Sequence, residues 1–250
     1  MEPLIKTLPI DRNTPALQRS TVDSRSLALQ AETRSDTARP AISADALRVL
    51  RNTYALLALT LLFSAATAAI GVALKAPALG VLLTLVGYFG LLFLVYKLKN
   101  SVWGLPAVFA LTGFMGYTLG PMLTKALSLP GGATSIAMAL GTTGLVFLAM
   151  SAWVLQTRRD FSFIGGFLFA GMIVALIAGL AAIFLQLPAL GLAVSAMVAL
   201  LSVGLILFET SRIMHGGETN YVLATVGLYV SLFNLFASLM SLFGLGGAED

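Results

Sequence analysis

Seven separate runs of apolar residues, each long enough to cross a lipid bilayer, dominate this chain. They cover approximately 52–74, 78–96, 104–123, 133–155, 162–186, 189–210 and 221–243. A helix needs about 20 apolar residues to span a hydrocarbon core roughly 30 Å thick. In lipid every backbone N–H and C=O must be satisfied within the protein, which leaves helices or closed barrels. Barrel strands would show about 10 residues of alternating polarity, and these runs do not alternate. The expected fold class is all-α, a polytopic membrane bundle of seven transmembrane helices. Turns with Pro, Gly or charge separate the runs: "KAP" at 75–77, "KLKNS" at 97–101, "SLPGG" at 128–132, "TRRD" at 157–160, "QLP" at 186–188 and "HGGET" at 215–219.

Only 10% of the residues are charged, against roughly 25% in a soluble domain, so residues 43–245 are expected to be membrane domain throughout. Residues 1–42 differ. They are rich in Ser, Thr, Arg, Asp and Pro, and show no periodic apolar stripe. Such a segment buries too little apolar surface to offset its chain entropy, and a disordered cytoplasmic tail is expected. Residues 1–50 lack the short apolar core and small-residue cleavage site of a signal peptide, so the first run is expected to act as an uncleaved anchor. Ser43 is placed to cap a helix beginning with "ADALRVLRNTY".

Lysine and arginine predict the orientation, because they concentrate in cytoplasmic loops. With the N-terminus inside, the cytoplasmic segments hold Arg39, Arg48, Arg51, Lys97, Lys99, Arg158, Arg159 and Arg212, and the opposite side holds Lys75 and Lys125. This bias predicts a cytoplasmic N-terminus and a C-terminus on the far side. The net charge of +4 reads as this topology signal and not as a nucleic-acid surface. In the seventh run, Ala224, Gly227, Ser231, Asn234, Ser238 and Ser241 recur at alternating spacings of three and four. A stripe of small and polar residues permits close helix approach and interhelical hydrogen bonds, which predicts a central seventh helix. Thr112, Gly116 and Gly120 form a similar face on the third.

The ionisable groups collect at one place. Outside the first fifty residues and the last two, the acids are Asp160, Glu209 and Glu218, and the single histidine is His215. Glu209 and Arg212 share a helix face and are expected to pair. The other reading makes Glu209 a titratable group at the mouth of a cavity between helices. His215 is either a solvated loop residue or a pH sensor. Gly216-Gly217 makes the turn, and Thr219 or Asn220 is placed to cap the seventh helix. Tyr221 sits where aromatic residues favour the interface.

No enzyme is expected. The chain has no cysteine, which excludes thiolate chemistry and Cys-based metal sites. "HGGE" lacks the histidine pair of a zinc protease, no G-x-S-x-G occurs, and no P-loop or intramembrane carboxylate pair is present. No cofactor or metal site is expected.

Several stretches nevertheless look familiar. "RNTYALLALTLLFSAATAA" (51–69), "LTGFMGYTLGPML" (111–123), "IFLQLPAL" (183–190), "FETSRIMHGGETNY" (208–221) and "LYVSLFNLFASLMSLFG" (228–244) resemble the Bax inhibitor-1 family, and within it the bacterial YccA branch, over residues 48–245. The resemblance implies a seventh helix inside a ring of six and a place in the bacterial inner membrane. It implies a regulatory role toward FtsH, the membrane-anchored AAA protease. The disorder-like composition of residues 1–42, which the resemblance does not cover, suits a handle by which such a protease engages the protein. Other branches are linked to a pH-sensitive calcium leak, built on an acid at the end of helix six paired with an acid in helix seven. Glu209 stands at the first position, but Ser231 stands at the second. A carboxylate and a hydroxyl cannot share a proton as two carboxylates do. The leak reading would place Glu209, Arg212, His215, Ser231 and Asn234 at the cytoplasmic mouth.

Overall fold

A computed structural model describes residues 43–246; the tail expected over residues 1–42 lies outside the described residues. Among the described residues, seven helices are long and apolar enough to cross a membrane. They are α1 (Ala44–Ala73), α2 (Val81–Leu98), α3 (Gly104–Leu127), α4 (Gly132–Thr157), α5 (Gly165–Phe184), α6 (Pro188–Met214) and α7 (Tyr221–Gly246), with a short 3-10 turn at Ser162–Ile164 before α5. The Ser43 hydroxyl accepts the Ala46 amide at 3.1 Å, so the expected cap sets the start of α1. Gln186 takes a left-handed backbone, and Pro188 then starts α6 at its first position, which suits its missing N–H.

The centre belongs to α7. Of its apolar window 67% is buried, against 6% to 44% for the other six helices. It packs on α1, α3, α4 and α6, while α2 lies on α3 and α5 lies on α6. The enclosure implied by the family resemblance therefore has two layers: four helices against α7 and two outside them. Leu228, Tyr229, Leu232 and Leu235 of α7 are buried with Leu57 of α1, Leu111 of α3 and Ile206 of α6.

The small-residue faces serve close approach. Ala224, Ser231 and Ser238 of the α7 stripe are buried. On α3, a Cβ at Gly116 would overlap the Ser64 carbonyl oxygen and the Thr67 hydroxyl of α1, and one at Gly120 would sit 3.1 Å from Gly71. Only glycine lets these two backbones meet. Beside this contact, the buried Tyr229 hydroxyl lies 2.6 Å from the Ser64 hydroxyl and donates to the Thr112 carbonyl at 3.2 Å. One side chain of α7 thus links α1 and α3 where unpaired polar groups are costly.

Candidate functional site

The site grows from the end of α6. Gly216, with φ +75°, closes that helix. The Gly217 amide donates to the Arg212 carbonyl at 2.8 Å and the Gly216 amide to Ile213 at 3.3 Å. This is the paired bonding of a Schellman motif, which needs a left-handed residue at Gly216. The chain turns sharply, and Glu218 comes back beside Arg212.

Arg212 lies between two carboxylates. One guanidinium nitrogen is 3.5 Å from Glu209 Oε2, and the other is 3.2 Å from Glu218 Oε2. Phe208 covers it, 5.4 Å from ring centre to guanidinium carbon. The Glu209 and Glu218 side chains are each 14% exposed and Arg212 31%, so the trio is largely shielded, with two carboxylates sharing one guanidinium. The Glu209 carboxyl group rests on Gly227 of α7, where an added Cβ would approach its Cδ to 2.8 Å. The small residue at 227 is what admits a carboxylate between α6 and α7.

From this hairpin, contacts reach two other loops at the same end of the bundle. Glu218 accepts the Asn220 amide at 2.9 Å. Asn220 caps α7 with its Oδ1, accepting from Val222 at 3.0 Å and Leu223 at 3.2 Å. Its Nδ2 donates to Asn100 Oδ1 at 2.8 Å and to the Lys99 carbonyl at 3.2 Å in the α2–α3 turn. On the other side, Ser211 Oγ accepts the Phe161 amide at 2.8 Å. His215 faces the Ser211 carbonyl through Nδ1 at 2.9 Å and the Arg158 carbonyl through Nε2 at 3.2 Å. A neutral imidazole donates to only one of these oxygens. Asp160 accepts the Ser162 amide at 2.8 Å. Hydrogen bonds from the Ser162 side chain and backbone hold its carboxyl below the ordinary range.

The expected site residues thus fall into three groups. Glu209 and Arg212 form the expected contact, with Glu218 as a further partner. His215 joins Ser211 and the 158–161 loop and takes no part in that trio. Ser231 and Asn234 lie deeper. The Ser231 hydroxyl donates to the Gly227 carbonyl at 2.9 Å on its own helix. Asn234 is thirteen residues into α7, about 20 Å of helix from Tyr221, and lines a separate cavity. Sequence reasoning missed Ser211, Asn100 and the reach of Asn220 beyond its cap. A buried serine one turn before a helix end gave no distinctive pattern. Among the described residues, no three His, Cys, Asp or Glu side chains group as metal ligands.

Residues 47–248 match the family described as "Inhibitor of apoptosis-promoting Bax1". This chain belongs to that family. It is 58% identical over 202 residues to the modulator of FtsH protease YccA of Escherichia coli (strain K12), covering 81% of this chain and 92% of that protein. It is 52% identical over 202 residues to an uncharacterized protein of Pseudomonas aeruginosa, covering 81% and 91%. A more distant relative, an uncharacterized protein of Neisseria meningitidis serogroup A, is 33% identical over 214 residues. This Bax inhibitor family member is therefore a seven-helix membrane protein of the YccA kind, and its polar hairpin between α6 and α7 is the hub of one end of the bundle.

Proposed function

We propose that this protein is a regulator in the bacterial inner membrane that binds an FtsH-type protease and restrains its turnover of other membrane proteins. The observation that carries the reading is the 58% identity to a named FtsH modulator over nearly that protein's whole length. The site chemistry supports it: the α6–α7 hairpin ties three loops into one surface, in which Arg212 serves two carboxylates. Such a surface suits docking more than turnover of a small substrate, and no enzymatic activity is proposed. The distribution of basic residues supports a cytoplasmic hairpin end and a periplasmic end of α7. The composition of residues 1–42 suits an initiation segment for a protease that must engage unstructured chain. A tightly packed bundle behind such a handle occupies the protease while other substrates wait.

The test is affinity purification of the tagged full-length protein from membranes, with the half-life of a known membrane substrate of the protease measured in parallel. Co-purification and a lengthened half-life are expected. Loss of both in otherwise folded protein refutes the reading. The calcium-leak reading has less support. Glu209 has Arg212 as its nearest charge, and Ser231 stands where the family pattern places the second acid. Calcium flux in reconstituted vesicles that Glu209→Gln abolishes would replace the first reading with the second.

A further inference from the structure

A cavity of about 410 Å³ opens between α2, α3, α5 and the face of α7. Five aromatic side chains, Tyr88, Phe89, Phe114, Phe169 and Phe233, line it together with Asn234. Its depth is set by Asn234, which stands at the middle of the 26-residue α7. That position is about 20 Å of helix from either end, near the midplane of a hydrocarbon core roughly 30 Å thick.

Two polar groups in this wall have no hydrogen-bond partner among the described residues. The hydroxyls of Thr84 and Thr118 are spent on their own helices, donating to Gly80 at 2.8 Å and Met115 at 2.6 Å. The Asn234 amide and the Tyr88 hydroxyl make no hydrogen bond among the described residues. An amide left unpaired in hydrocarbon costs several kcal/mol. An occupant must therefore bring polar atoms to the bilayer centre, which a hydrocarbon lipid tail does not. A transmembrane helix is about 10 Å across with its side chains and cannot enter a space of this size. The volume lies in the range of small-molecule pockets, roughly 300–1,000 Å³. Walls of aromatic rings favour a flat conjugated ring, held by offset and edge contacts.

We propose that this cavity binds a membrane-soluble quinone-class molecule, a flat ring bearing carbonyl or hydroxyl oxygens on an apolar tail. The Asn234 amide donates to one ring oxygen and the Tyr88 hydroxyl to another, while the aromatic side chains hold the ring. The tail leaves between α2 and α5 into the bilayer. The inference is of binding only, and it stands independently of the protease reading.

The experiment uses the full-length protein in phosphatidylcholine nanodiscs and an azido-substituted short-tail benzoquinone as photolabel. Labelled residues are mapped by mass spectrometry, with decylubiquinone as competitor and a photoreactive fatty acid as the ring-free control. Labelling is expected at the cavity positions of α2, α3, α5 and α7, reduced at least tenfold by competitor. Asn234→Leu should lower it tenfold or more. Tyr88→Phe removes a single oxygen and keeps the ring, so it tests the site even if the first variant fails to fold; it should lower labelling severalfold. Labelling spread evenly over the lipid-facing helices, insensitive to competitor, matched by the fatty acid, or unchanged in folded variants overturns the proposal.

Discussion

Replacing Gly116 by alanine tests the close approach of α1 and α3. An added Cβ there meets the backbone oxygen of Ser64 and the hydroxyl of Thr67. A carbonyl inside a helix cannot swing aside as a side chain can, so α1 and α3 must part. Overpacking of this kind costs about 1–3 kcal/mol. Separation also strains the contacts of Tyr229 with Ser64 and Thr112, each a hydrogen bond of about 0.5–1.5 kcal/mol net. Against this stands the helix propensity of alanine over glycine, up to about 1 kcal/mol. The net expectation is a loss of about 1–3 kcal/mol. At about 2–4 °C per kcal/mol for a chain of this size, the melting temperature should fall by several degrees. Gly141 on α4 is the matched control, because a Cβ there meets nothing within 4 Å. Gly141→Ala should be neutral or stabilising. Thermal unfolding of both variants in the same detergent and lipid gives the comparison. Equal melting temperatures for Gly116→Ala and Gly141→Ala would refute the account of α1–α3 packing.

The remaining predictions concern the charged end and the α7 stripe. Glu209→Gln keeps the shape of a largely shielded side chain and leaves Arg212 paired with Glu218, so it should cost no more than about 1.5 kcal/mol. Ser231→Asp should cost more, about 2.5–3.5 kcal/mol if the new carboxylate stays charged in the packed interior, and thermal stability in one lipid ranks the two. Asn220→Ala removes a helix cap worth about 1 kcal/mol and should raise hydrogen exchange in the 99–103 turn; unchanged exchange there would break the proposed link. Asp160 supplies a pH test. Its carboxyl titrates below the usual value in the folded protein, so its stabilising contribution is present above the unfolded value of about 3.9 and is lost as pH falls through the folded one. The stability gap between the unaltered protein and Asp160→Asn should therefore close only in strong acid, and a gap that closes near neutrality contradicts the assignment.

Helix number, approximate spans and the central place of α7 were legible because apolar run length and the Ala224–Ser241 stripe each depend on residues near in sequence. The same holds for the Ser43 cap and for Gly116 and Gly120. Which helices touch α7 was not legible. Lipid-facing and protein-facing surfaces are equally apolar here, so hydropathy does not separate them. The partners of Tyr229 lie 165 and 117 residues away, and the Asn220–Asn100 bond spans 120; no local pattern encodes such pairs. At the candidate site, the Glu209–Arg212 contact followed from helix spacing. Glu218 as the second carboxylate on Arg212 depended on the tightness of the Gly216 turn. The leak reading grouped Asn234 with Glu209 at the cytoplasmic mouth, yet helix rise alone puts Asn234 near mid-membrane.

The enclosed position of α7 also has a consequence for biosynthesis. The helix that fills the centre follows all of those around it in the chain. While α1 to α6 enter the membrane one after another, their common interior has no occupant, and the Ser64 hydroxyl and the Thr112 carbonyl await the tyrosine that joins them. The packed core is complete only once α7 is seated among them. Until α7 is seated these two groups lack the tyrosine partner that they have in the finished bundle. The interval between synthesis of α6 and seating of α7 is when this bundle is most open to the cell's quality control.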